Sequence, residues 1–447
     1  MSEARCVVVK HFVGRTSMIF SKALRAACVA LAAAILPTLA AADPIPPGAR
    51  SENVEAVGYV DAPNASPFKM SLLESGNRWY MYTSNLFHRG WAIFDVTDQT
   101  DPTLVKFIDG PKNTATWQID LADNLLITSL DALSTGWGGD PDQPRAPEAV
   151  LIWSLEDPVN PQQIGSFTTG GGTHRNAYFG GDYLHLAANL PGYRGEVYMI
   201  VDISDPANPV ETGRFATSGM KETDAEPYDL GRLHGPADVR GNLAFLPFGG
   251  SGFIIADISD PANIEEIGRL DFGPLFGPTH LSVHTTTPYL ERNLAIVNSE
   301  AIAENCEEAL NFAGLVDISD LEAPRLVSSF PMPQPPEGEP LDYFCTHGGR
   351  FGPHNQNQLQ HNPLVEDQTD RVYLTYFNGG LRIFDISTAV NPQEVGWFLP
   401  PDPTVRRGPL PRGALVVQSE DVLVDTRGYI YVSHKNQGIW VLRYTGD

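Results

Sequence analysis

From residue 54 onward, short runs of β-branched, aliphatic and aromatic residues alternate with turn-forming stretches. Val54-Glu-Ala-Val-Gly-Tyr-Val60 is one run; Leu243-Ala-Phe-Leu-Pro247, Phe253-Ile-Ile-Ala256 and Ile267-Gly-Arg-Leu270 are others. Each run has strand length and strand composition, and Gly, Asn, Asp or Pro separates it from the next. The order also repeats: a run, a turn, a second run, a loop, a third run inside a fixed phrase, then a short fourth run. Four strands per repeat predict antiparallel blades, A to D from an axis outward.

The phrase itself makes the repeat visible. It reads Ala92-Ile-Phe-Asp-Val-Thr-Asp98, Leu151-Ile-Trp-Ser-Leu-Glu-Asp-Pro158, Ile200-Val-Asp-Ile-Ser-Asp-Pro-Ala-Asn-Pro209 and Ile254-Ile-Ala-Asp-Ile-Ser-Asp-Pro-Ala-Asn263. It returns as Leu315-Val-Asp-Ile-Ser-Asp320, as Leu381-Arg-Ile-Phe-Asp-Ile-Ser387 and, degenerate, as Ile439-Trp-Val-Leu-Arg-Tyr444. Aligned positions Asp95, Ser154, Asp202, Asp257, Asp317, Asp385 and Arg443 are 59, 48, 55, 60, 68 and 58 residues apart. Such spacing signals a repeat architecture. The phrase resembles the LVIVD repeat of exported and surface proteins of bacteria and archaea, and that resemblance implies a β-propeller without fixing an activity. Its aspartates read as turn devices that cap backbone N–H groups, with Pro ending strand pairing.

Strand counting predicts how the ring closes. The seventh unit ends at Tyr444 without a fourth strand, while Val54–Val60 stands unassigned before the first unit. The expectation is an all-β, seven-bladed propeller over residues 43–447, in which the N-terminal strand completes the last blade and removes open edges.

Residues 1–42 read differently. Arg5, Lys10, Arg15, Lys22 and Arg25 precede the apolar stretch 26–39, and Ala40-Ala41-Ala42 follows. That is the pattern of a cleaved secretory signal, so the chain is expected to be exported, periplasmic or secreted, with no membrane span. Of the 4 cysteines, only Cys306 and Cys345 survive cleavage, in a compartment that permits a disulfide between them. The 41 Gly and 37 Pro argue against a helical bundle. A net charge of −24 repels phosphate backbones and makes a nucleic-acid partner unlikely.

Candidate chemistry follows from the inner-strand register. Counting seven residues back from the A–B turn glycine reaches His174 from Gly181, His234 from Gly241, Lys69 from Gly76 and Asp421, with Glu420 beside it, from Gly428. The second unit has Asp123 at the turn and Thr116 seven earlier. The fifth and sixth units have longer turns, and their inner strands start at Gly277-Pro-Thr-His280 and Phe351-Gly-Pro-His354. Four consecutive blades thus bring His174, His234, His280 and His354 to the mouth of the axial channel. Converging imidazoles suit a transition ion, with iron, copper and zinc equally open. Glu420, Asp421, Lys69 and Thr116, with His88 and His434 at the ends of B strands, are expected to line the channel or support the ligands. The placement is similar to that of carotenoid-cleaving oxygenases, propellers that hold iron with axial histidines, although no sequence motif is shared. His185 and His284 fall inside strands and read as satisfied core residues.

Two readings compete. The first is an exported metal-dependent enzyme of oxygenase or lyase type acting on a small organic molecule. The second is a non-catalytic binding propeller that uses the same loop-rich face for a protein or carbohydrate partner. A repeated histidine that merely bonds a neighbouring strand explains part of the pattern equally well. No Gly-rich phosphate loop, Gly-x-Ser-x-Gly elbow or Cys-x-x-Cys occurs, which leaves nucleotide binding, serine hydrolysis of that type and thiol redox without support.

Overall fold

A computed structural model describes residues 43–446, apart from 63, 64, 143, 145, 273–280, 310 and 359. The expected export signal and His280 therefore lie outside the described residues. The described residues form seven antiparallel sheets of four strands each and one small two-stranded sheet. Blade one pairs Pro67–Ser75, Arg78–Asn85, Gly90–Asp95 and Thr103–Asp109 in simple up-and-down order. Blades two to five repeat that meander.

Closure is as the strand count predicts. Val54–Val60 runs antiparallel to Ile439–Tyr444, from Val54 opposite Tyr444 to Val60 opposite Ile439. The preceding segment Arg50–Glu52 goes further and pairs with Gln393–Leu399 on the outer edge of blade six. The N-terminus thus staples two neighbouring blades. Blade six needs the extra strand in the count because its innermost segment is short. His354 and Asn357 donate N–H bonds to Thr375 and Tyr373, and Thr375 returns one to Asn355.

The repeated phrase works as turn chemistry. Asp202, Asp257, Asp317 and Asp385 each accept the N–H two residues on, from Ser204, Ser259, Ser319 and Ser387, at 2.7–2.9 Å. Its second aspartate does the same at Ala207 and Ala262. The short fourth strands carry glycine for a reason set by the neighbouring blade. A Cβ on Gly165 or Gly213 would overlap the carbonyl of Pro206 or Pro261 in the next C–D turn. Between blades, apolar side chains of B and C strands interdigitate. Val432, Trp440 and Leu442 of blade seven pack on Tyr373, Leu381 and Ile383 of blade six. Each such side chain contributes roughly 1.5–3 kcal/mol on full burial.

A second tie lies at the axis. Hydroxyls on B strands accept the inner-strand N–H of their own blade: Ser84 from Lys69, Ser129 from Gln118, Thr375 from Asn355 and Ser433 from Asp421. Ser84, Thr375 and Ser433 also donate to an inner-strand carbonyl of the next blade, at Trp117, Glu420 and Phe68. The same hydroxyl therefore holds its blade's inner strand and sets the spacing to the neighbour.

Candidate functional site

The inner strands do not enter the channel smoothly. Pairing with strand B slips between Pro67 and Met70, between Thr173 and Arg175, between Leu281 and Thr285, and between Ser419 and Asp421. The residues inside these bulges are Phe68 and Lys69, His174, Ser282 to His284, and Glu420. A bulge re-aims a side chain that an unbroken ladder would send into a sheet face. Here it throws them inward, at the end of the channel that carries the D–A and B–C connections.

Two arcs result. On one, buried charges are matched. Lys69 Nζ lies 2.7 Å from Asp421 Oδ1, and Lys435 Nζ lies 2.7 Å from Glu420 Oε1, all four side chains being at most 2% exposed. Asp421 also accepts the Met70 N–H. Burial pushes the Glu420 carboxyl up, but Lys435 and His354 outweigh it and hold the group down at about 2. Burial lowers both lysines against the pull of their carboxylates. Asp120 is bonded by Asn176, and burial pushes its carboxyl well up.

The other arc holds imidazoles. His174 stacks on His234, centroids 4.0 Å apart and planes 22° apart. His234 meets His284 edge to face at 5.6 Å, and His284 lies 5.0 Å from His354. Two glutamates thread this row. Glu300 Oε2 is 3.3 Å from His284 Nε2 and 3.7 Å from His234 Nε2, while its Oε1 takes a 2.9 Å bond from Arg350 and lies 3.6 Å from His354 Nε2. Glu196 Oε1 is 3.7 Å from His234 Nδ1. One donor atom from each of His234, His284 and Glu300 lies within 4.8 Å of the others, and the same holds for His174, Glu196 and His234.

His284 Nε2 and Glu300 Oε2 are both buried, and neither has a hydrogen-bond partner. Burial, reinforced by His354 and Arg175, pushes the His284 imidazole well below its ordinary value and keeps it neutral. The same holds for His174 through burial, His234 and Arg175. Its Nδ1 sits 3.0 Å from Asp131 Oδ2, which turns Nε2 toward the channel, as a carboxylate does behind a metal-bound histidine. His354 joins the arcs. Its Nδ1 is 3.3 Å from Glu420 Oε2, and its ring lies between those of Phe68 and Phe377.

The mouth is narrow and aromatic. Trp137, on a short 3-10 turn in the B–C insertion of blade two, reaches Trp117 at 5.1 Å and Phe87 at 5.9 Å. Its ring also receives Lys435 and Arg350, at 5.5 and 6.0 Å. His174 and His234 keep 14% and 16% of their side-chain surface, whereas His284 and His354 keep 0% and 3%. A cavity of about 190 Å³ on the opposite face, lined by Arg240, Thr287, Tyr289 and Gln368, contains no histidine. The convergent donors therefore lie at the opposite end from this hollow.

Several candidates land as sequence spacing places them and several do not. His174, His234 and His354 come together. The fifth blade supplies His284, a strand residue expected in a satisfied core: its Nδ1 does bond Thr285, but its Nε2 has no hydrogen-bond partner. Asp421 is engaged by Lys69. Thr116 donates to the backbone at Gly90. His434 is buried, bonds Ser419, and is held down at about 3 by burial. His88, half-buried, faces Ser66. Neither belongs to the imidazole row. His185 bonds Tyr198 in the core, as expected. Spacing missed Glu196, Glu300, Arg350 and Lys435. The available signal was polar residues ending an apolar strand, as in Ile296-Val-Asn-Ser-Glu300 and Val432-Ser-His-Lys435.

Cys306 and Cys345 form the expected disulfide. It joins the B–C insertion of blade five to the D–A insertion of blade six. Beside it, the Asn305 N–H bonds the Gly349 carbonyl at 2.8 Å. Together they hold Arg350 over Glu300.

Comparison with known proteins supports the fold. The β-propeller domain of Cps50 (Swd1) from Myceliophteria thermophila superposes with a TM-score of 0.51 at 10% identity, over 84% of this chain and 99% of that one. The periplasmic gluconolactonase PpgL of Pseudomonas aeruginosa gives 0.51 at 11% identity, over 82% and 97%. A protein from Lactobacillus plantarum gives 0.51 at 10%, over 83% and 98%. At such identities the likeness is one of fold alone. No curated protein matches the sequence. The family profile described as the LVIVD repeat matches residues 181–217 and 237–271, which are blades three and four without their inner entrances. The chain is thus a seven-bladed β-propeller in which blades three and four match the LVIVD repeat.

Proposed function

We propose that this protein is an exported, metal-dependent enzyme of oxygenase or lyase type, acting on a small organic molecule at the loop-rich end of the propeller axis. The observation that carries the reading is the buried contact between Glu300 Oε2 and the Nε2 atoms of His284 and His234. Three donor atoms converge there, with no hydrogen bond between the carboxylate oxygen and either ring. A buried carboxylate oxygen facing imidazole nitrogens without a shared proton is costly, and a divalent cation removes that cost.

Two imidazoles and one carboxylate form a donor set suited to iron, copper or zinc, with positions left open for substrate. A bound transition ion would supply Lewis acidity and, as iron or copper, electron transfer. Arg350 would keep Glu300 ionised and oriented. His354, held between two phenyl rings, supplies a further donor or a proton relay toward Glu420. Trp117, Trp137 and Phe87 exclude water and restrict the site to small molecules.

Export with removal of residues 1–42 fits the disulfide. No helix among the described residues is long and apolar enough to cross a membrane. The competing reading, a binding propeller, needs an exposed aromatic patch. Among the described residues, the most exposed large apolar side chains are the aliphatic Leu341, Val390, Val405 and Val210, far apart in sequence.

Metal analysis of mature protein purified without chelator or nickel tests the proposal. At least one transition ion per chain is expected, retained on dialysis and absent from a folded His284→Ala variant. Wild-type protein that takes up no iron, copper or zinc after reconstitution contradicts it.

A further inference from the structure

His234 lies between two carboxylates. Its Nδ1 faces Glu196 Oε1 at 3.7 Å, and its Nε2 faces Glu300 Oε2 at 3.7 Å. A neutral imidazole carries one N–H, so it can serve only one of them. Neither contact is a hydrogen bond, and Nδ1 is buried without a partner, as are Glu196 Oε2 and Glu300 Oε2. Each side of the ring has its own complement of donors: His174 and Glu196 on the Nδ1 side, His284 and Glu300 on the Nε2 side.

The outer set is built as carefully as the inner one. Glu196 is 7% exposed and begins the C strand Glu196–Asp202, so the sheet fixes its backbone. Arg232 approaches its Oε2 only to 4.0 Å, which leaves that oxygen available. Asp131 orients His174 through Nδ1, so the free nitrogen of that ring is Nε2. One ligand atom each of His174, Glu196 and His234 lies within 4.8 Å of the others, and the stacked rings of His174 and His234 must tilt apart to share one ion.

We propose that the axial site holds two metal ions bridged by His234. The outer ion is bound by His174, Glu196 and His234 Nδ1; the inner ion is bound by His234 Nε2, His284 and Glu300. This rests on the reading of the inner donors as a metal site and adds a second site that the reading does not require. Binding both ions takes the last ring proton from His234, which leaves to solvent, and the ring becomes an imidazolate. No electron moves. The cations also neutralise two glutamates that each have one oxygen, Oε2, without a hydrogen-bonded partner.

The test uses Cu²⁺ alone, titrated into metal-free mature protein and followed by calorimetry and electron paramagnetic resonance. The expected result is two equivalents per chain. The fully loaded protein should show a low-temperature signal well below two spins, because the bridge couples the ions. Glu196→Gln, near the rim and conservative in shape, should bind one equivalent and show one full spin. Glu300→Gln should bind only the outer one. Two equivalents with two uncoupled spins overturn the bridge. One equivalent in the wild type overturns the second site, and its loss in Glu300→Gln shows that the inner metal reading stands. No binding overturns both.

Discussion

From blade seven through blade two, the inner strands direct Glu420, Asp421, Lys69 and Asp120 inward; from blade three through blade six they direct His174, His234, His284 and His354. Both arcs sit at the same height on the same scaffold, and both bury carboxylates. On the first arc, Glu420 and Asp421 each have an ammonium at 2.7 Å. On the second, Glu196 and Glu300 face imidazoles at 3.3–3.7 Å, and only Arg350 bonds either of them closely. In the first arrangement Glu420 and Asp421 each have a buried ammonium as charge partner. The second leaves Glu300 Oε2, Glu196 Oε2 and two imidazole nitrogens without hydrogen-bond partners, and on the proposed reading cations would fill that gap.

Breaking the matched arc should cost most. Lys435→Met leaves Glu420 buried without its ammonium and is expected to destabilise by roughly 3–5 kcal/mol. Glu300→Gln, in metal-free protein, should cost less, about 1–3 kcal/mol, since the amide oxygen still accepts from Arg350 although that guanidinium loses its charge partner. Urea unfolding of both variants checks the pair, and equal losses would erase the distinction between the arcs.

Next comes the clamp on the histidine arc. Cys306 and Cys345 are 39 residues apart, so their bridge contributes roughly 3–4 kcal/mol by chain entropy. Cys345→Ser should lose that amount. It should also weaken metal binding at Glu300, because Arg350 is no longer held above it; calorimetric titration of the variant reads this.

Acid tests two buried groups of blade seven. His434 titrates at about 3 in the fold but near ~6.5 in the unfolded chain. The unfolded state therefore binds the extra proton first, and stability falls between those values as pH drops. The slope approaches ~1.4 kcal/mol per pH unit for one such group. Glu420, depressed to about 2, adds stability that is present above about 4.5 and lost toward 2. Unfolding midpoints from pH 7 to pH 3 should show a shallower decline in His434→Gln above pH 4.5 and in Glu420→Gln below it.

The smallest effect concerns the ties between blades. Ser433→Ala removes the acceptor for the Asp421 N–H and the donor to the Phe68 carbonyl, and should cost about 1–2 kcal/mol. A shift of that size in thermal midpoint, with metal content unchanged, locates this hydroxyl on the structural side of the comparison.

The propeller was legible because each repeat announces its own turn. Asp202 and Asp257 recur before Ser, and the unpaired run at Val54 completes the count. The site was legible only where inner strands share one turn length, as for His174 and His234. In blade five the A–B turn holds the extra residues Leu290–Arg292 and reverses at Asn293, φ 52°, in place of a glycine. Counting from glycine fails there, and the bulge that turns His284 inward leaves no mark in the sequence pattern. Glu196 and Glu300 escaped because they come from strand ends outside the inner strand, and only the folded ring brings those ends to the axis. Arg50–Glu52 escaped because a three-residue edge strand has no alternation to read.

The most direct test is an anomalous diffraction experiment on crystals of metal-reconstituted mature protein, collected on both sides of the metal's absorption edge. A peak about 2.0–2.2 Å from His234 Nε2, His284 Nε2 and a Glu300 oxygen is the predicted result. A map with no peak in the histidine arc, or with its metal between Lys69 and Asp421 instead, would contradict the account.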